Sequence, residues 1–183
     1  TYYFMNNNRY DGMWYQDFQH GKGTMYYYNG DIYEGDWAND KREGQGVYTW
    51  KNGSKYVGSW KNDKKDGDGT LVWNDGCKYD GHWKNDVRDG KGIFEYANGD
   101  KYVGNFKDGM QDGKGTFTWA NGAVYEGEWK NNKREGKGTY KWSNGDVYEG
   151  DWKDNRPNGQ GTLKTVAGMQ YKGGFVDGLE EGQ

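Results

Sequence analysis

Bulky aromatic residues and glycines alternate with polar residues in short runs, and the runs return every 23 residues from Tyr10 to Tyr171. Copies open at Tyr10, Tyr33, Tyr56, Tyr79, Tyr102, Tyr125, Tyr148 and Tyr171 without an insertion. In the copy from Tyr33, the first run is Tyr33-Glu34-Gly35-Asp36-Trp37 and the second is Gly44-Gln45-Gly46-Val47-Tyr48-Thr49-Trp50. A polar stretch, Ala38 to Glu43, separates them, and Lys51-Asn52-Gly53-Ser54 follows. Period-2 alternation predicts two strands per copy, and the glycine density excludes a helix. Counted from the opening Tyr, Gly holds offsets +2, +11, +13 and +20 in every complete copy, and an aromatic holds +4 in all eight. Offset +15 is Met, Tyr, Leu or Phe.

The Asn-Gly turns decide the register. A two-residue type I′ loop would split the aromatics between both faces. A type I turn with a left-handed Gly53 and a bulge instead sets Trp50 against Ser54, Tyr48 against Tyr56 and Gly46 against Gly58. Read as a six-residue loop, Ala38 to Glu43 then pairs Tyr33 with Tyr48, Gly35 with Gly46 and Trp37 with Gly44. All large rings share one face under this register, over a middle row of bare glycine. The predicted fold is all-β: an elongated single-layer antiparallel sheet of about sixteen strands, a β-hairpin solenoid twisted and curled toward its aromatic side. Strand glycines cost about 0.5–1 kcal/mol each in ordering. A buried ring of about 200 Å² returns up to about 5 kcal/mol, so the rings win if they lie on the glycine backbone.

Composition alone points the other way, since only 32% of residues are hydrophobic and mean hydropathy is −1.35, values typical of disorder. The 18% aromatic content reverses that reading, because Tyr and Trp supply the burial that Leu and Ile usually provide. With 25 basic and 28 acidic residues intermixed, the net charge of −3 creates no field for nucleic acid, and no nucleic-acid partner is expected. Cys77 has no second cysteine to pair with. His20 and His82 show no metal spacing, so neither a metal nor a cofactor is expected, nor a catalytic residue. No apolar run reaches the roughly 18 residues of a membrane span.

Residues 1–183 read as a single array: a partial copy over 1–9, full copies from 10, 33, 56, 79, 102, 125 and 148, and a partial copy over 171–183. Thr1-Tyr2-Tyr3-Phe4 fits offsets +14 to +17, and Gly182-Gln183 breaks off at +12, as in a piece of a longer chain. Thr165, Ala167, Pro157 and Phe175 depart from the pattern, as terminal copies do.

The units YEGDWANDKREGQGVYTWKNG, YEGEWKNNKREGKGTYKWSNG and YEGDWKDNRPNGQG resemble the MORN (membrane occupation and recognition nexus) repeat over essentially the whole chain. The resemblance implies a non-catalytic scaffold or adaptor. Such arrays occur in radial-spoke heads of cilia, in junctophilins, in protist cytoskeletal scaffolds, in a myosin-binding adaptor, and beside lipid-kinase or SET methyltransferase domains. The family often carries His just before Gly-x-Gly. Here His20 fits, while Glu43, Asp66, Asp89, Asp112 and Glu135 replace it elsewhere, which weakens an inherited lipid role.

Two candidate surfaces follow. The first is a partner-binding groove in which Trp37, Trp60, Trp83, Phe106, Trp129 and Trp152 line one side of the glycine furrow and Tyr33, Tyr56, Tyr79, Tyr102 and Tyr125 the other. It would take an extended or helical protein segment. The bland alternative makes these rings the core of a thin sheet, with the +17 residues Trp50, Trp73, Trp119 and Trp142 partly exposed. The second is a basic loop edge of Lys41, Arg42, Lys64, Lys65, Arg88, Lys133 and Arg134, which would contact anionic phospholipid. The leading expectation is a cytoplasmic scaffold in a cytoskeletal or ciliary assembly, with self-association through the sheet ends. The alternatives are a peripheral membrane adaptor and a regulatory segment of a larger lipid kinase or methyltransferase.

Overall fold

A computed structural model of the chain describes residues 1–181. The expected break at Gly182-Gln183 lies outside the described residues. These residues form seventeen β-strands in one antiparallel sheet, with no helix among them. The chain divides into two compact units, Thr1–Asp89 and the residues from Gly90 onward. Within each unit, the strands pair with those adjacent to them in the chain.

The Asn-Gly turns form as the alternation predicts. Trp50 N donates to Ser54 O (2.9 Å) and Gly53 N to Trp50 O (2.9 Å), with Gly53 at φ +91°. Across this turn Tyr48 faces Tyr56 and Gly46 faces Gly58. The rings therefore stand on one side of the sheet, as the repeat requires.

The hairpin within a copy corrects the sequence reading. Strands Ile32–Ala38 and Lys41–Thr49 leave only Asn39 and Asp40 between them, both left-handed at φ 49° and 64°. Such a tight turn matches the right-handed twist of its strands, and Asn and Asp tolerate the conformation. Tyr33 pairs with Tyr48 and Gly35 with Gly46 as expected, but Trp37 faces Arg42, not Gly44. Two extra residues, Gly44 and Gln45, bulge out of the longer strand, with Gly44 at φ +61°. The Asp36 carboxylate accepts from Gln45 N at 2.8 Å and closes the bulge. Glu128 does the same for Lys137 N and Asp151 for Gln160 N.

The furrow is not open. Each opening Tyr lies across the glycine pair beside it. A Cβ on Gly46 would stand 2.3 Å from the Tyr33 hydroxyl, and one on Gly115 equally close to Tyr102. Tyr33 Oη donates to Asp36 O at 2.9 Å, a carbonyl three residues on, and the same bond recurs from Tyr10, Tyr56, Tyr79, Tyr102, Tyr125, Tyr148 and Tyr171. Trp indoles then tie copies together: Trp60 Nε1 donates to Gly46 O and Trp129 Nε1 to Gly115 O. The opening Tyr rings meet the +4 aromatic ring of their own copy, and most also that of the next, edge-on, as Tyr33 does with Trp37 (5.1 Å, 90°) and Trp60 (5.3 Å, 84°). That orientation sets the positive ring edge on the negative ring face.

In the unit from Gly90, a hollow of about 930 Å³ lies over the opposite face, among Thr116, Glu126, Lys137 and Thr139. The hollow opens on the polar side of the sheet. Rings crowd one face of the sheet, while short Thr side chains leave room on the other.

Substituting Ala at Gly115 should lower stability by about 3 kcal/mol, because a buried ring must give way. Ala at Gly122, a left-handed turn position with nothing within 4 Å of the added carbon, should cost only about 1 kcal/mol. Urea unfolding followed by tryptophan fluorescence measures both, and equal losses would contradict the ring-on-glycine packing.

Candidate functional site

The structure assigns the proposed groove residues to the interior. Tyr33, Tyr56, Tyr79, Tyr102 and Tyr125 are fully covered, and Trp37, Trp60, Trp83, Phe106, Trp129 and Trp152 nearly so. Rings laid on glycine fill the trough, so these residues form the core of a thin sheet, the bland alternative of the sequence reading.

What remains exposed on that face is the +17 row. Trp50, Trp73 and Trp119 are half-buried, and Trp142 is 37% exposed. From Gly90 onward, these rings join the +15 residues in one strip. Tyr96 meets Phe117 (5.8 Å), Phe117 meets Trp119 (4.5 Å), Trp119 meets Tyr140 (5.2 Å) and Tyr140 meets Trp142 (4.8 Å). In the first unit, Tyr27, Tyr48 and Trp50 form a shorter version.

The basic residues divide in two. Strand pairing replaces the expected long loop, so those at +9 turn onto the aromatic face. Arg42 lies 4.5 Å from the Trp60 ring centre, and its guanidinium donates to the Asp63 carboxylate (3.1 Å) and carbonyl (2.8 Å) of the next copy. Arg134 repeats this with Trp152 at 4.8 Å and Asn155 O at 2.8 Å. Lys65 stands over Trp83 and beside Asp86, and burial lowers its pKa. Arg88 faces Tyr79. Lys41, Lys64 and Lys133 sit exposed beside the tight turns, Lys133 against Asp154 at 2.7 Å.

One cavity escaped the sequence reading. In the unit Thr1–Asp89, a space of about 700 Å³ opens among Tyr2, Trp14, Met25, Asp17, Gln19 and Asp40. Its sequence signal was legible: Gln19 stands at +9, where Arg42, Lys65, Arg88 and Arg134 stand in other copies. Among the described residues, no cluster of His, Cys, Asp and Glu could hold a metal, and no helix is long and apolar enough to cross a membrane.

A single-layer array of identical hairpins, each completed by its neighbour, defines a repeat protein. The MORN repeat profile matches residues 10–32, 33–55, 56–78, 79–101, 102–124, 125–147, 148–169 and 171–183, and the chain belongs to the MORN repeat family. No curated protein matches the sequence. Among solved structures, the TCP domain of Drosophila melanogaster SAS-4 (dCPAP), in complex with a proline-rich motif of Ana2 (dSTIL), is similar at TM-score 0.51 and 15% identity, covering 84% of each chain. The G-box domain of the microcephaly protein CPAP is similar at TM-score 0.51 and 12% identity, covering 96% of this chain and 97% of that one. At these identities, the likeness is one of fold.

Burial pushes the Tyr10, Tyr79 and Tyr148 phenols from their ordinary 10.0 up to about 12, and raises Tyr33, Tyr56, Tyr102 and Tyr125 as well. Unfolding releases phenols that ionise near 10, so their contribution to stability is whole below that pH and is lost as pH climbs toward 12 and beyond. Absorbance at alkaline pH should show the ionisation of the buried tyrosines, a late step distinct from that of the exposed ones, arriving together with loss of tryptophan fluorescence anisotropy. Ionisation completed while the fold persists would contradict it.

Proposed function

We propose that this protein is a non-enzymatic scaffold that holds an extended, proline-rich segment of a partner protein along the +17 aromatic strip. The strip itself carries the reading: five rings in sequence, from Tyr96 to Trp142, stay half-buried or exposed on one face, while Tyr102, Phe106, Tyr125, Trp129, Tyr148 and Trp152 are buried. Tyr and Trp surfaces of this kind are favoured anchors for proline-rich peptides.

Spacing supports the match. One copy contributes two strands, so the strip repeats about every 9.6 Å. A polyproline II helix has three residues per turn and rises about 3.1 Å per residue, a period of about 9.3 Å. A proline-rich segment crossing the strands thus presents the same face to successive copies. It also loses little entropy on binding, being extended beforehand. The SAS-4 domain of similar fold was solved with a proline-rich motif, which supports the same partner chemistry here. The CPAP structure is described in connection with centriole elongation, which, together with the family, supports a cytoskeletal setting as part of this reading.

Replacing Trp119 and Trp142 together by Ser should weaken binding of a labelled proline-rich peptide by about a hundredfold, roughly tenfold for each ring lost. The fold should persist, since both rings are half-exposed. Fluorescence anisotropy reads the affinity and circular dichroism the fold. Undiminished binding in the double variant would reject the strip.

A further inference from the structure

We propose that the cavity at Gln19 is a slot for an arginine side chain supplied by a partner polypeptide, a proposal that rests on the reading above that the protein binds an extended segment. The array itself displays what such a slot accepts. One copy later, the corresponding position is Arg42, whose guanidinium stacks on Trp60 and Tyr48 and bonds to Asp63. Gln19 stands where Arg42 stands, Asp40 where Asp63 stands and Met25 where Tyr48 stands. The acidic half of the pair is thus retained and the cationic half is missing. A space of about 700 Å³ opens beside Gln19, bounded by Tyr2, Phe4, Trp14 and Met25 and by Asp17 and Asp40.

Two further observations point to a ligand. Gln19 is only 4% exposed, yet its Nε2 has no hydrogen-bond partner, whereas the corresponding Gln111 Nε2 donates to Tyr96 Oη at 3.4 Å. An unmet buried donor is costly and calls for an acceptor. In addition, none of the ion pairs among the described residues involves Asp17 or Asp40, and Asp40 Oδ1 accepts only from Gln19 N, at 2.7 Å. A cation and an acceptor are therefore wanted side by side. An arginine in an extended peptide brings both, its guanidinium for the carboxylates and the Trp14 face, and its main-chain carbonyl for Gln19. A free metal ion would lack the acceptor, and lysine would lack the planar fork that stacks on a ring.

The test uses a labelled extended peptide with one arginine flanked by prolines, and the same peptide with citrulline, its neutral isostere, in that place. Fluorescence anisotropy should show the arginine peptide bound about tenfold more tightly or better, the scale of one charge-assisted contact in a partly desolvated site. Gln19→Arg should erase that preference by filling the slot from within, in the manner of Arg42. Asp40→Asn should reduce it severalfold while keeping the fold, because Asn132 and Asn155 accept the equivalent main-chain bond in other copies. Equal binding of the two peptides, no binding of either, or a preference untouched by Gln19→Arg would overturn the proposal. The two readings fail separately: a failed slot leaves the Trp119 and Trp142 effect in place, and a failed strip leaves the arginine–citrulline difference.

Discussion

A tyrosine lying flat across two glycines of paired strands is the contact on which the rest of the structure depends. It removes the largest apolar surface of each copy from water, and it does so in a sheet with no second layer to pack against. Cβ-free backbone is required beneath the ring, since any side chain at Gly46 or Gly115 would occupy the space of the ring itself. The phenol hydroxyl must also find an acceptor once buried. The carbonyl three residues on supplies it, at the point where the bulge opens the ladder. Ring, glycine pair and bulge therefore form one unit of design, and none makes sense without the others.

On that base the tryptophans provide cooperation between copies. Each indole reaches back to a glycine carbonyl of the preceding copy, and each Asp or Asn of the tight turn accepts from a main-chain amide of the same predecessor. A single hairpin would be marginal in water. Here its deficits are made good by its neighbours, which is why so polar a chain folds. Basic residues at +9 add a third link by stacking on the following Trp, which removes them from the exposed edge where sequence had placed them.

Much of this was legible in the sequence because glycine and aromatic offsets leave few consistent registers. The Tyr48–Tyr56 pairing follows from period 2 together with the requirement that the rings share one face, which selects the bulged Asn-Gly turn. The tight turn at Asn39-Asp40 did not, because Gly44 was counted as ordinary strand; its left-handed conformation shifts the register and brings four residues of the expected loop, Ala38, Lys41, Arg42 and Glu43, into the pairing. Burial stayed open between groove and core for a related reason. Alternation tells which face a ring occupies, but not whether it stands up or lies down, and Tyr33 and Trp60 lie down. The Trp142 row stays accessible because it sits beside the turns, past the end of the glycine floor.

Because copies within a unit lean on the ones before them through the same carbonyls and turns, their seams repeat the same main-chain bonds. Whole blocks could be gained by gene duplication without inventing a new junction, while a shift of one residue inside a block would break the bonds that block makes with its immediate neighbours. Length is thus the property such a gene can change most freely. The particular residues at +9 and +17 are where one copy can be told from another.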